Sequence, residues 1–344
     1  MFEADMADAG MLKKLLDSIK ELVTDANFEC NEEGLKLQAM DNSHVALVSV
    51  QLTKDGFSKF RCDRPMPLGV NLASLTKVLK CAKDNDQVKL TAGDSADILK
   101  LRFSDKAQAR VSNYEMKLMD IDMDELGIPE TEYDATITMS ASEFGRIVRD
   151  LSNLGESVRV EVSKEGIRFS ADGEAANGSV LLKQTDNARK SFAKSKGGSS
   201  SKANGKVKKE DDDDNMDEDK EEDDGGNFKG REEEEDEADK EEEEEEEEEE
   251  VGKKRKKSSS SSKPSKKAKK GEDSDGPDDG VMIEMTQAVA LTFSLKYLVT
   301  FSKSAALSGR VELRMSNEVP LLVAYDFGQG HIHYYLAPKI GDNE

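Results

Sequence analysis

The apolar positions of this chain come in two matching runs. From Met11 to Ala39 the sequence MLKKLLDSIKELVTDANFECNEEGLKLQA sets Leu12, Leu15, Leu16, Ile19 and Leu22 on one face, which predicts an amphipathic helix over 9–23. Phe28, Cys30, Leu35 and Leu37 then alternate with polar residues about Glu33-Gly34, the pattern of two strands joined by a tight turn. Residues Glu143 to Ala171, EFGRIVRDLSNLGESVRVEVSKEGIRFSA, repeat the order without a gap 132 positions later. Leu15 falls on Ile147, Leu16 on Val148, Leu22 on Leu154, Gly34 on Gly166 and Ala39 on Ala171. Self-similarity on this scale implies two similarly built domains.

The remaining periodicity extends both halves. His44–Leu52 is a β-rich run, a second helix is predicted over 71–81, and strands over 87–91, 98–103 and 110–117. Residues 118–134, LMDIDMDELGIPETEYD, are acidic and contain Gly127 and Pro129; they predict an extended linker, although Leu126 and Ile128 are unusual in a pure spacer. The second half predicts a helix over 141–153, strands over 157–163, 166–171 and 178–184, and after an interruption strands over 282–284 and 289–293. A helix over 294–302 and strands over 309–316, 319–326 and 331–336 complete it. Four short helices among many strands indicate an α+β fold in which all helices lie on one side of the sheets. The expected organisation is an N-terminal domain over 1–117, the linker over 118–134, a C-terminal domain split between 135–190 and 281–340, an insertion over 191–280 and a tail over 341–344.

Charge separates the insertion from the rest. Residues 191–280 hold 20 Lys and Arg against 34 Asp and Glu, including ten consecutive Glu at 241–250. The other 254 residues hold 30 against 39, so the folded part is only mildly acidic and is not a nonspecific basic DNA coat. With so little apolar surface to offset ordering entropy, 191–280 is expected to be disordered. KKRKK at 253–257 and SKKAKK at 265–270 read either as nuclear import signals or as charge balance for the glutamates. Cys30, Cys62 and Cys81 form no C-x-x-C and are expected to be reduced, buried thiols of an intracellular protein. No apolar run approaches the ~18 residues of a membrane span, and MFEADMADAG lacks the apolar core of a secretory signal.

Candidate chemistry is sparse. His331 and His333 share one face of a predicted strand and could pair on a metal, but no third ligand lies near in sequence, so no metal is expected. No nucleophile elbow or phosphate-binding glycine loop is present, so neither an enzyme nor a bound cofactor is expected. The helices are more informative. Lys13, Lys14 and Lys20 lie on the first, Lys77 and Lys80 on the second, Arg146 and Arg149 on the third, Lys296 on the fourth and Lys303 just beyond it. Each set is either a solvated polar face or part of one cationic stripe suited to DNA phosphates without regard to base sequence. The predicted strands Arg110–Lys117 and Ala175–Lys183 lie at opposite domain extremes; they are either covered in the monomer or pair head-to-tail between chains.

The chain resembles the eukaryotic sliding clamps, the proliferating cell nuclear antigen family. The resemblance rests on MFEA at the start, LQAMDNSHVALV at 37–48, FRCDRPMPLGVNL at 60–72, SNYEMKLMDID at 112–122, ELGIPETEY at 125–133, EFGRIVRDLSNLGE at 143–156 and YYLAPKI at 334–340. It implies a DNA-clamp fold that forms a homotrimeric ring around double-stranded DNA. Such a ring serves DNA replication, DNA repair and translesion synthesis in the nucleus, as a processivity factor for DNA polymerase. The implied DNA-facing residues are Lys13, Lys14, Lys20, Lys77, Lys80, Arg110, Arg146, Arg149, Lys296 and Lys303. The implied pocket for peptide motifs of the polymerase, clamp loader and other partners comprises Met40, His44, Val45, Leu126, Ile128, Pro320, Ala337, Pro338, Lys339 and Ile340. Tyr114, Met116, Gly178 and Val180 would lie at the subunit interface, and Lys164 matches the lysine conjugated to ubiquitin or a ubiquitin-like modifier. The insertion and Asn153, where a His is common, depart from the family pattern. Two other readings stay open: a subunit of a heterotrimeric checkpoint clamp, and a clamp-fold protein whose acidic insertion binds histones.

Overall fold

The computed structural model describes residues 1–95, 97–121, 127, 131–184, 280–317 and 319–339, and eighteen strands and four α-helices lie among them. The first half runs β1 (Phe2–Met6), α1 (Ala9–Ile19), β2 (Asp25–Asn31), β3 (Gly34–Met40), β4 (Ala46–Thr53), β5 (Lys59–Cys62) and β6 (Met66–Asn71). It continues with α2 (Leu72–Leu79), β7 (Gln87–Ala92), β8 (Ile98–Ser104) and β9 (Val111–Lys117). The second half repeats the order: β10 (Ala135–Ser140), α3 (Ala141–Ser152), β11 (Ser157–Ser163), β12 (Gly166–Asp172), β13 (Asn177–Leu182), β14 (Met282–Met285) and β15 (Val289–Ser294). Then come α4 (Leu295–Phe301), β16 (Arg310–Met315), β17 (Leu321–Asp326) and β18 (Gly330–Leu336).

The duplication read from sequence holds residue by residue. β2 and β11, and β3 and β12, start and end 132 positions apart. Gly34 and Gly166 open β3 and β12 with φ of 142° and 150°, where a Cβ would lie 2.0 Å from the Leu52 carbonyl oxygen and 2.1 Å from that of Leu182. Only glycine permits this close approach of the turn to the neighbouring strand. The ladders match too. Leu101 faces Tyr114 and Leu99 faces Met116 in the first half, as Val323 faces Tyr334 and Leu321 faces Leu336 in the second. Val50 faces Leu37 and Val48 faces Ala39, as Val180 faces Phe169 and Gly178 faces Ala171.

The strands form three antiparallel sheets, ordered β5-β1-β7-β8-β9, β14-β10-β16-β17-β18-β4-β3-β2-β6 and β13-β12-β11-β15. The nine-stranded sheet joins the two halves of the chain, because β18 runs antiparallel beside β4 with Tyr334 opposite Val48. Its counterparts in the repeat, β9 and β13, are outer strands of their sheets. The helices contact one another in the order α2, α1, α4, α3 and bury their apolar faces in one core with the sheets. Tyr334 marks the joint: its ring stacks on Phe301 at 4.3 Å, and its hydroxyl meets Ser304 at 2.8 Å and the Ser18 carbonyl of α1 at 3.4 Å.

Several expectations are corrected. The first helix ends at Ile19 rather than 23; Leu22 and Val23 remain buried in the turn that follows. His44 does not belong to the strand that the apolar run predicts but sits in the turn before β4 with φ of 56°. Strands β1, β5, β6 and β10 lie outside the predicted elements; three of them carry charge or proline, which hides a strand from periodicity. Cys30 is buried, but Cys62 is half-buried and Cys81 exposed, so the thiols are not uniformly interior. The expected disorder of 191–280 concerns residues outside those described, save Gly280.

Candidate nucleic-acid interface and docking surface

The four helices expose basic side chains on the face opposite the core. Asp8 caps α1 by accepting the Met11 N–H at 3.2 Å, and Asn71 caps α2 by accepting that of Ser74 at 2.9 Å. Leu12, Leu15, Leu16 and Ile19 point inward from α1, and Leu72, Leu75 and Leu79 from α2, which leaves Lys14, Lys77 and Lys80 exposed. Ile147, Val148 and Leu151 do the same on α3 and leave Arg146 and Arg149 outside, and α4 exposes Lys296.

These cations are not equivalent. Lys13 is only 20% exposed and donates to the Ala82 carbonyl at 2.5 Å and to Asp84 at 2.7 Å, bracing α1 against the end of α2. Its ammonium holds the Asp84 carboxyl below the usual range. Lys20 pairs with Asp17 at 2.5 Å, Lys303 with Glu21, and Arg110 with the buried Asp86. Arg146 lies 3.6 Å from Glu143 and 3.9 Å from Asp150, and Arg149 donates to the Gly145 carbonyl at 2.9 Å. Lys14, Lys77, Lys80 and Lys296 have no ion-pair partner among the described residues, so they are the cations best placed to meet an external anion.

The second surface lies where β18 runs past β4. Ala337 donates its N–H to the Val45 carbonyl at 3.1 Å, and the register of β17 and β18, with Leu321 opposite Leu336, sets Pro320 next to Ala337. Met40 ends β3, its sulfur 3.0 Å from His44 Nδ1, and Val45 is 37% exposed. Pro338 is half-buried; Lys339 donates its N–H to the Thr292 carbonyl at 2.8 Å and its ammonium to Ser157. Met40, His44, Val45, Pro320, Ala337, Pro338 and Lys339 are thus brought together, whereas Leu126, Ile128 and Ile340 lie outside the described residues.

Sequence reasoning missed Asp41, which shapes this surface. Its Oδ1 accepts the N–H groups of Val45 at 2.9 Å and Ala46 at 2.7 Å, and its Oδ2 accepts Ser43 N–H at 3.1 Å and the Tyr297 hydroxyl at 2.7 Å. Burial works against its charge, but the N–H groups of Ala46, Val45 and Ser43 and the Tyr297 hydroxyl outweigh burial and hold its pKa below the usual value. The run Asp41-Asn42-Ser43 is a turn signal from which such a network can be anticipated; Tyr297 lies too far along the chain to be.

Tyr114 and Met116 point inward from β9, the Tyr114 ring centroid 5.4 Å from that of Phe103. Gly178 and Val180 lie on β13, where a Cβ on Gly178 would come 2.5 Å from Leu154 Cδ1. Lys164 is exposed in the turn between β11 and β12. His331 and His333 stack at 4.3 Å on the outer face of β18. No three His, Cys, Asp or Glu side chains among the described residues are grouped to hold a metal ion.

Comparison with known proteins accounts for the duplicated plan. A family model described as proliferating cell nuclear antigen, N-terminal domain, matches residues 1–126, and one described as proliferating cell nuclear antigen, C-terminal domain, matches 127–196 and 260–340. The chain is 41% identical over 345 residues to the proliferating cell nuclear antigen of Chaetomium thermophilum, with all of both chains covered. The chain belongs to the proliferating cell nuclear antigen family, the DNA sliding clamps that act as processivity factors.

Proposed function

We propose that three copies of this chain close into a ring around duplex DNA, with the cationic helix layer toward the phosphates and the Met40–His44–Val45 surface turned to partner proteins. The observation that carries this reading is the joint between β18 and β4. β9 and β13, the repeat counterparts of those strands, end their sheets. Making the same joint between chains would set Tyr114 opposite Gly178, Ser112 opposite Val180 and Met116 opposite Ala176, as Tyr334, Ile332 and Leu336 stand opposite Val48, Val50 and Ala46 within the chain. A pairing of two different edges is head-to-tail, so it closes into a ring or propagates. The family resemblance supports closure at three chains.

The mechanism is topological. A closed ring cannot leave a duplex sideways, so a few sequence-independent phosphate contacts suffice and a mildly acidic protein can act on DNA. Lys14, Lys77, Lys80 and Lys296 supply the mobile contacts, with Arg146 and Arg149 beside them. Lys13, Arg110 and Lys303 face the same layer but also hold it together, and Lys20 is paired with Asp17 of α1. The chain works as a scaffold rather than an enzyme, in the nucleus, for DNA polymerase, the clamp loader and other peptide-motif proteins. Lys164, exposed in a turn, suits conjugation. The two repeat domains span 1–117 and 135–190 with 281–340, and 118–134 connects them.

The test loads the purified protein onto nicked circular DNA and then cuts the circle. Release on linearisation is expected, and light scattering is expected to give a three-chain mass. Equal retention on circular and linear DNA would overturn the topological reading.

A further inference from the structure

The Asp41 carboxylate, on which the turn carrying His44 and Val45 is folded, is held from two directions. Three of the four bonds to the Asp41 carboxylate come from its own turn, namely the N–H groups of Ser43, Val45 and Ala46. The fourth comes from Tyr297 on α4, 256 residues away. The β3–β4 ladder and the Ala337 N–H on the Val45 carbonyl tie the ends of the turn to the sheet, but they leave the Asp41 carboxylate itself unanchored to the helix layer. Tyr297 donates to Oδ2, the oxygen that also accepts from Ser43, and so fixes the carboxylate plane relative to α4. That orientation matters because His44 sits at φ of 56°, a conformation non-glycine residues adopt at a cost. α4 also belongs to the cationic layer: Lys296 precedes Tyr297, and its ammonium lies 5.8 Å from the Tyr297 ring centroid.

We propose that Tyr297 is a positioning residue for partner docking: its hydroxyl orients the Asp41 carboxylate, and through it residues 43–46, from the helix that presents Lys296 to DNA. This rests on the reading of Met40, His44 and Val45 as a docking surface. The turn is then preorganised by a tertiary hydrogen bond, and a docking peptide does not meet the cost of ordering it. One short helix serves both faces.

The experiment uses the full-length protein and a fluorescein-labelled synthetic peptide with a leucine followed by two phenylalanines as apolar anchors. Tyr297→Phe removes only the hydroxyl and is expected to weaken binding about five- to tenfold. Hydrogen exchange at the Val45 and Ala46 amides should accelerate while exchange in the core strands stays as in the wild type. Asp41→Asn should weaken binding at least as much, and the double variant no more than Asp41→Asn alone, since Tyr297 acts only through the Asp41 carboxylate. Val45→Glu is the control for the docking surface itself. If Val45→Glu abolishes binding but Tyr297→Phe binds as tightly as wild type, the positioning role is overturned and the docking surface stands. If Val45→Glu leaves binding intact, the docking surface and the positioning role both fall. Additive losses from Tyr297→Phe and Asp41→Asn overturn the route through Asp41.

Discussion

Tyr334 stands opposite Val48 in the strand pair that joins the two halves of the chain. The ladders make Tyr114 and Gly178 their counterparts, at the outer strands of two other sheets. Tyr114→Ala is therefore expected to convert the proposed ring to single chains at micromolar concentration while the monomer stays folded. An aromatic anchor at the centre of an interface contributes about 2 kcal/mol or more, roughly thirtyfold in the dissociation constant. Sedimentation or light scattering across a dilution series checks this, and an unchanged mass would remove Tyr114 from the interface.

Charge reversal separates the two kinds of cation. Lys77→Glu with Lys80→Glu is expected to weaken DNA retention without changing thermal stability, because neither lysine has an ion-pair partner among the described residues. The slope of log affinity against log salt should fall by about 0.9 for each phosphate that is no longer neutralised. Lys13→Ala should instead lower the unfolding free energy by about 1 kcal/mol, since it removes the brace to Asp84 and the Ala82 carbonyl. Salt-dependent DNA binding and chemical denaturation distinguish the two.

Glu3 gives the first half an acid limit. Hydrogen bonds from Lys59 and Lys89 pull its pKa from 4.5 to about 2. A carboxylate depressed on folding adds stability above its unfolded pKa and loses it as pH falls through the folded one, so the loss lies between about pH 4.5 and 2. Glu3→Gln should be less stable than wild type at neutral pH, and the difference should narrow across that window. Denaturant midpoints measured at intervals of pH check the sign.

His333 acts at higher pH. Burial first, then His331 and Arg314, lower its pKa from 6.5 to about 4, against the opposing pull of Asp326. The unfolded chain therefore binds the proton more readily, and stability falls as pH drops from 6.5 toward 4. His333→Gln should flatten this part of the profile. An unchanged slope in urea titrations would place the titration elsewhere.

Much of the fold is legible in the sequence because burial is periodic. The stripe of Leu12, Leu15, Leu16 and Ile19 and the alternation around Gly34 are local consequences of packing one face, and their repetition at Gly166 reveals the duplication. β1 is not legible. Its Glu3 lies within a buried strand, and only Lys59 of β5 and Lys89 of β7, far along the chain, make that tolerable. His44 reads as part of a strand because it directly precedes the apolar run Val45–Leu52, and the Asp41-Asn42-Ser43 turn signal does not by itself say that the turn extends through His44 to the Val45 and Ala46 amides.

Sequence by itself determined the repeated helix–strand–turn–strand units and the basic character of all four helices, because both follow from which side chains each segment must bury and which it can leave in water. Tertiary structure decided which cations are committed. Lys13 meets Asp84, Lys303 meets Glu21 and Arg110 meets Asp86 only because separate elements pack together, while Lys77 and Lys80 face outward. It also decided that β18 closes on β4 while β9 and β13 end their sheets. Strand pairing satisfies backbone groups that every residue carries, so side-chain pattern alone cannot name the partner.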